Sequence, residues 1–362
     1  MISHWSRLAT RLGIALVVWV SAGCASVVAP PPNASGTPSP TVVPAGAHTV
    51  FSAPVPTSGT VGVGGGAVWV VDRQGMDAAD PDKAALVRID PATGKITARV
   101  PGVFGASIAA TDDGVWVASA ATDRLIRVSL DGKRVTAITT APASMGDDVY
   151  PYGVMATADG IWVANHHSGT IGRIDPRTNA LVASVRWGEP GGGGPTHLAA
   201  NGGRVWVTSV RTMDLAEIDP ATNEIVSRID LAPMGACGGV VADAKSVWVA
   251  SGFDRPFPCW QPGHVGLSRV DRTSGVVTRI DVGARPADVR VGFGSVWVLT
   301  DAPTTELLRL DPATNRIVGR LPLPMRPDYA NPLAIGLDAL WVRLIVEDGS
   351  ADGAVLKIQP DG

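Results

Sequence analysis

Nine residues of this 362-residue chain carry side chains suited to binding a ligand or a divalent metal ion, and they lie in or beside irregular segments. They are Asp147, Asp148, Tyr152, His166, His197, Trp260, His264, Asp288 and Tyr329. Carboxylate and imidazole groups ligate divalent cations, and aromatic rings offer stacking surfaces. Their spacing assigns no nucleophile, base and orienting acid, so we predict ligand contacts here and assign no catalytic residue.

Several of these residues also have an interpretation that involves no ligand. Adjacent residues in an extended chain point to opposite sides, so we expect His166 and His167 to be solvated loop residues rather than joint metal ligands. Asp147 and Asp148 offer two carboxylates to calcium or magnesium, but such a pair is ordinary in a glycine-containing loop. No cofactor is predicted, and Ca²⁺ or Mg²⁺ is the alternative.

The elements that position these residues repeat along the chain. Val-Trp-Val, or a near variant, recurs seven times at spacings of 42 to 49 residues, with its tryptophans at Trp69, Trp116, Trp162, Trp206, Trp248, Trp297 and Trp341. A repeat of that period with four short strands indicates a propeller blade. The residue eight positions before each tryptophan is aliphatic, as a buried innermost strand requires. We therefore predict an all-β, seven-bladed β-propeller over residues 47–362, with the tryptophans packed between blades.

Turn residues define the two rims of this predicted ring. The third and fourth strands of a blade are joined by short turns such as Asp175-Pro176-Arg177-Thr178-Asn179, in which Pro presets φ and Asn tolerates the left-handed region. The connections between blades, and those between second and third strands, are irregular and share the opposite rim. Blade 7 lacks a fourth strand, so we predict that His48–Ser52 supplies it and closes the ring.

All nine candidate residues map to the irregular rim, where binding sites usually lie on a rigid scaffold. His197 and Asp288 occupy equivalent positions in blades 4 and 6, at the predicted mouth of the central channel. There they face a common ligand or, in the interpretation we favour, cap local backbone groups.

The repeat unit resembles the YVTN and streptogramin-lyase-like (virginiamycin B lyase-like) seven-bladed propellers. Val247–Ala250, Ile161–Asn165 and Leu310–Asn315 carry the resemblance. It implies the propeller fold, and its members serve as enzymes, binding modules or surface proteins. For a streptogramin lyase it implies a divalent metal held by histidines and glutamates on one face, whereas the predicted blades 6 and 7 contain no histidine.

The N-terminal segment has the pattern of an export signal. Arg7 and Arg11 precede the apolar run Leu12–Val20, and Ser21-Ala22-Gly23-Cys24 resembles the lipobox of bacterial lipoproteins. We predict a signal peptide over residues 1–23, lipidation of Cys24, and a Pro/Ser/Thr/Ala linker over 24–46. The expected location is the extracytoplasmic face of the cell membrane; ordinary secretion with nearby cleavage is the alternative.

The charge of the chain argues against nucleic-acid binding, and its cysteines favour a disulfide over a metal site. The net charge is −3 and 17% of residues are charged, so no basic surface for nucleic acid is expected. Cys237 and Cys259 are predicted to form a disulfide, which is favoured over a two-cysteine metal site. The leading hypothesis is a monomeric, lipid-anchored propeller that binds a small molecule or an envelope protein through the irregular rim. A metal-dependent lyase or hydrolase and a passive scaffold are the alternatives.

Overall fold

The computed structural model describes residues 46–55, 59–72, 84–188, 194–252, 265–328, 331–346 and 353–361. The chain divides into two units, Met1–Val42 and Val43–Gly362, and every described residue belongs to the second. Cys24, Cys259, Trp260, His264 and Tyr329 lie outside the described residues, so the predictions for them remain predictions. No described helix is long and apolar enough to cross a membrane.

The first four blades are four-stranded antiparallel sheets whose strands follow one another in sequence order. Blade 1 contains β2 (Val61–Gly64), β3 (Ala67–Asp72), β4 (Ala85–Ile89) and β5 (Ile96–Pro101). Blade 2 contains β6 (Ser107–Thr111), β7 (Gly114–Ser119), β8 (Arg124–Val128) and β9 (Val135–Ile138). Blade 3 contains β10 (Pro151–Thr157), β11 (Gly160–Asn165), β12 (Thr170–Asp175) and β13 (Ala180–Arg186). Blade 4 contains β14 (Pro195–Asn201), β15 (Arg204–Ser209), β16 (Asp214–Asp219) and β17 (Glu224–Asp230).

The remaining strands complete the predicted seven-bladed β-propeller. Blade 5 contains β18 (Val240–Ala242), β19 (Ser246–Ser251), β20 (Gly266–Asp271) and β21 (Val277–Ile280). Blade 6 contains β22 (Arg285–Gly292), β23 (Ser295–Ala302), β24 (Glu306–Leu310) and β25 (Ile317–Pro322). Blade 7 contains β26 (Arg326–Pro327), β27 (Leu333–Gly336), β28 (Ala339–Ile345) and β29 (Gly353–Pro360), together with β1 (Ala47–Pro54). A single short 3-10 helix, Ala143–Met145, interrupts this all-β pattern in the described chain.

The ring closes as predicted, by pairing between the two ends of the described chain. Strand β1 runs antiparallel to β29, with Ala47 opposite Pro360 and Pro54 opposite Ala354. The predicted segment His48–Ser52 lies within this strand. The pairing covers the outer edge of β29, which would otherwise expose a row of unpaired backbone groups. The two-residue strand β26, which pairs with β28, was not predicted.

The repeat tryptophans pack between blades, as predicted, since all seven are at most 1% exposed. Each also lies beneath a cation, which the sequence interpretation missed. In six blades the cation stands directly across from the tryptophan in the β-ladder, as Arg173 does opposite Trp162. Arg173 continues into the next blade, where its Nη1 donates to the Pro220 carbonyl at 2.6 Å and to Asn223 Oδ1 at 3.0 Å. We call this arrangement the arginine latch; Arg127 and Arg269 repeat it with the Pro176 and Pro312 carbonyls of their neighbouring turns.

The short turns have the predicted chemistry. Asn179, Asn223 and Asn315 occupy the left-handed region with φ of 58° to 59°. The leading aspartate accepts backbone hydrogen bonds, as Asp90 Oδ1 does from Thr93 N at 2.8 Å. The hydrogen bond from the Thr93 hydroxyl, followed by that from its backbone, lowers the pKa of Asp90. One rim of the ring is therefore regular, and the described irregular loops lie on the other.

Candidate functional site

A cavity of about 440 Å³ occupies the channel at the centre of the ring, lined by the innermost strands of all seven blades. The residues nine positions before the repeat tryptophans, at the irregular-rim end of the innermost strands, are called the mouth ring here: Thr60, Ser107, Gly153, His197, Gly239, Asp288 and Pro332. Of these, Ser107, Gly153 and His197 line the cavity. In a blade without a bulge at this point, the mouth-ring residue pairs with the residue two positions after the tryptophan, as Ser107 pairs with Ala118. Three of the seven positions are Gly or Pro, so the larger side chains have room beside them.

Asp288 of the mouth ring is fully buried and paired with a cation. Its Oδ1 lies 2.5 Å from Arg290 Nη1 and accepts from the backbone of Val289 at 2.8 Å, while Oδ2 accepts from Leu333 N at 3.1 Å. Burial raises the pKa of Asp288, and Arg290 and the two backbone donors oppose that rise. A Cβ on Gly239 would lie 1.7 Å from Asp288 Oδ1, so the pair depends on glycine there. The prediction that Asp288 caps local backbone groups is confirmed.

His197 is the second large mouth-ring side chain, and it is 8% exposed. Tyr152 lies edge-on to its ring, with centroids 5.6 Å apart and planes at 86°. Within the described chain its Nδ1 has no hydrogen-bond partner, so the backbone-capping interpretation finds no support for that atom. Burial lowers the pKa of His197 to about 3, and Arg290 and His166 lower it further, so the ring is neutral at pH 7.

His166 lies on the loop between β11 and β12, and the expectation that it is solvated is wrong. Its side chain is buried, with 2% exposure, because Gly194 leaves room for it: a Cβ there would lie 1.9 Å from His166 Cε1. Burial, with the charges of His167 and Arg211, lowers the pKa of His166 to about 4. Tyr152 is 6.4 Å from the His166 ring, which connects this residue to the mouth ring.

His167 follows in the same turn, not in extended chain, and its ring lies 5.4 Å from the His166 ring, so the expected alternation does not apply. Its ring stacks on Tyr150 at 4.2 Å and 18°, and its Nδ1 lies 2.7 Å from Asp148 Oδ1. Tyr150 has φ of 52°, a left-handed conformation that is rare for a bulky residue and costs about 1–3 kcal/mol. Asp123 Oδ1 holds the strained segment by accepting from Tyr150 N at 2.7 Å and Val149 N at 3.1 Å.

Tyr150, Tyr152, His166, His167 and His197 therefore form one contiguous group at the irregular rim, which we call the aromatic–histidine cluster. Of the described candidates, Asp148 joins its edge and Asp147 is exposed with no side-chain contact of its own to the cluster. Asp288 lies across the mouth. In the described chain no group of three or more His, Cys, Asp and Glu side chains is placed to hold a metal ion.

Arg290 is the residue that sequence reasoning missed. It lines the channel and its side chain is 22% exposed. The residue seven positions before each of the other six tryptophans is apolar or glycine: Gly62, Ala109, Met155, Ala199, Val241 and Ala334. Arg290 is the charged residue among these seven equivalent positions, and that difference could have identified it from the sequence. It lies two residues after Asp288, which was predicted.

Comparison with known proteins supports the fold alone. No protein-family model and no curated protein sequence matches the chain. Among solved structures, hydrazine synthase from Kuenenia stuttgartiensis is similar at a TM-score of 0.64 and 15% sequence identity, over 84% of this chain and 96% of that one. At that identity the likeness is one of propeller architecture.

Proposed function

We propose that this chain is a lipid-anchored, extracytoplasmic β-propeller that binds a small molecule or an envelope protein through its irregular rim. The observation that carries the proposal is the backbone of Tyr150, which adopts a left-handed conformation that presents its ring to His167. Strain of this kind persists only where surrounding contacts impose it, and it concentrates at functional sites. Phe293 and Leu337, in short turns of the opposite rim, adopt the same backbone conformation, so the distinguishing feature of Tyr150 is its place in the aromatic–histidine cluster, where it stacks on His167.

The aromatic–histidine cluster is chemically suited to recognition. Tyrosine combines a large apolar ring with a hydroxyl group at little conformational cost, and neutral imidazole both donates and accepts hydrogen bonds. The cluster lies beside a cavity of about 440 Å³, a volume suited to a small ligand. Its edge, formed by Tyr150, His167 and Asp148, extends the surface outward to a larger partner.

Capture of envelope proteins by the immobilised chain tests the proposal. Tyr150→Ala removes the aromatic ring that stacks on His167 and is expected to abolish capture. Arg177→Ala is the matched control, because Arg177 is 89% exposed in a turn of the regular rim. Equal capture by both variants would locate binding elsewhere and refute a role for the irregular rim.

The membrane anchor rests on the lipobox-like segment that ends at Cys24. Attachment of two or more acyl chains would hold the chain stably, at about 0.8 kcal/mol per buried methylene. Labelling with a palmitate analogue should therefore be lost in Cys24→Ala. Label that persists in this variant would rule the anchor out.

The disulfide proposed between Cys237 and Cys259 belongs to this proposal as well. Cys237 is buried and packs against Val210. In the chain-entropy model, closing this loop would raise the free energy of unfolding by about 3 kcal/mol. Peptide mass mapping without reduction should recover the two cysteines in one linked fragment, and recovery of two separate alkylated peptides would contradict the bond.

The YVTN and streptogramin-lyase-like relationship belongs to this proposal as well, with a metal-dependent lyase or hydrolase as the alternative function. Two histidines, His166 and His197, contact Tyr152 near the channel mouth, and Asp288 is the carboxylate of the mouth ring. Thermal stabilisation by Ca²⁺ or Mg²⁺ that disappears in His197→Ala would favour the enzyme. Metal-independent stability together with rim-dependent capture would favour binding.

A further inference from the structure

We propose that the channel mouth binds a small anion with a carboxylate or phosphate head, held between the Arg290 guanidinium and the His197 ring. The inference deepens the function proposed above and rests on it, because the site opens on the same irregular rim. Both residues line the same cavity, although they belong to blades 6 and 4.

Arg290 is held in place and still has donors to spare. Its Nη1 makes two contacts, with Asp288 Oδ1 at 2.5 Å and the Val289 carbonyl at 2.8 Å. The described residues provide no acceptor for its Nη2. Because Asp288 is itself fixed by backbone donors from blades 6 and 7, the guanidinium is oriented before a ligand arrives. A planar guanidinium with an open edge suits carboxylate and phosphate oxygens, which it binds in a bidentate manner.

His197 supplies the second polar group. A buried nitrogen without a partner costs about 1–3 kcal/mol, and a ligand atom at the channel mouth would remove that cost. Its Nδ1 is such a nitrogen within the described chain, and the ring lines the cavity. Between the two residues, blade 5 contributes Gly239, where a Cβ would lie 3.1 Å from Arg290 Nη1. The missing side chain keeps the path between blades 4 and 6 open.

The surrounding charges favour an anion over a cation. Arg290 of blade 6 and His166 of blade 3 act on His197, and Arg211 acts on His166; each of these interactions disfavours additional positive charge. Asp288 is the opposing carboxylate, and it is fully buried against Arg290 and backbone donors. Tyr152 contributes an uncharged ring edge. An anion near Arg290 would stabilise protonated His197, so binding and proton uptake should be linked.

Nuclear magnetic resonance of ¹⁵N-histidine-labelled full chain in mild detergent tests the inference. Sodium phosphate and sodium succinate are the two probes, and sodium chloride at matched ionic strength is the salt control. We expect a saturable shift of the His197 ring signals and a rise in the pKa of His197. A larger shift with phosphate would indicate a phosphate head group, and a larger shift with succinate would indicate a carboxylate. The signals are identified by their loss in His197→Gln.

Substitutions at Arg290 decide the outcome. Arg290→Lys keeps the positive charge but removes the planar guanidinium that binds in a bidentate manner. It should weaken probe binding at least about tenfold. The paired change Asp288→Asn with Arg290→Gln removes both charges and should abolish the shift, even if the single Arg290→Gln fails to fold. Arg177→Gln, at an exposed arginine of the regular rim, should bind as the wild type does.

Two results would overturn the inference: no saturable His197 shift with either probe, or an unchanged shift in the Arg290 variants. Neither result touches the rim proposal, which depends on capture and on Tyr150. Conversely, an Arg290-dependent shift together with unaltered capture by Tyr150→Ala would support the anion site and count against partner binding at the cluster.

Discussion

Acidification should destabilise the propeller through His197. The pKa of this residue falls from 6.5 to about 3 on burial, so the folded state keeps the ring neutral where the unfolded chain protonates it. The unfolded state therefore binds more protons than the folded state in this pH range. The stability contributed by neutral His197 is complete above the unfolded pKa and is lost as pH falls towards 3.

The size of the loss follows from the two pKa values. At pH 4.5 the unfolded imidazole is almost fully charged, while the folded ring remains almost fully neutral. Between pH 7.5 and 4.5 the difference amounts to about 3 kcal/mol for this one residue. His166, whose pKa is lowered to about 4, adds a loss of the same sign.

Urea unfolding at the two pH values, followed by fluorescence of the buried tryptophans, measures this loss. His197→Gln cannot titrate and should reduce the acid-induced loss by about 2–3 kcal/mol. His48→Gln is the control, because the His48 side chain is 63% exposed, and it should retain the loss of the wild type. An equal loss in the wild type and His197→Gln would show that His197 is charged or solvated when folded, and would refute the reasoning.

Three further predictions concern the scaffold. Arg173→Ala breaks one arginine latch and should lower the free energy of unfolding by about 1–3 kcal/mol, measured by urea unfolding; a value below the error of the method would make the latch incidental. Gly239→Ala places a Cβ 1.7 Å from Asp288 Oδ1 and should lower Tm, whereas Gly188→Ala, with nothing within 4 Å, should not; equal Tm values would contradict the close approach of Asp288 to Gly239. Deleting strand β1 exposes the edge of β29 and should produce aggregates in size-exclusion chromatography, while a monomeric product of unchanged Tm would show that closure is dispensable.

The fold was predictable because its determinants are local and repeated. Each Val-Trp-Val strand and each Asp-Pro turn carries its own signal, and seven copies reinforce one another. Ring closure followed from counting strands, since blade 7 lacked one and His48–Ser52 had no blade. The arginine latches were not predicted because their contacts join residues about fifty positions apart, such as Arg173 and Asn223.

The candidate site was predicted less well, because burial on the rim depends on neighbouring blades. His166 was expected in solvent, yet Gly194 at the start of blade 4 gives it a buried position. Arg290 was not predicted because its meaning depends on six apolar or glycine counterparts around the channel. Asp288 was recognised as a backbone cap, since an aspartate beside free N–H groups behaves the same way in most surroundings.

The sequence by itself determined the number of blades, the packing role of the tryptophans, the closing strand and the division into a regular and an irregular rim. These features depend on patterns within one repeat and on their count. Only the tertiary structure decided which polar side chains meet. It placed His197, His166 and Tyr152 in contact from different strands and loops, and it left Arg290 open to the channel. Closing a ring brings residues of distant blades together at its axis, and no local pattern encodes that proximity.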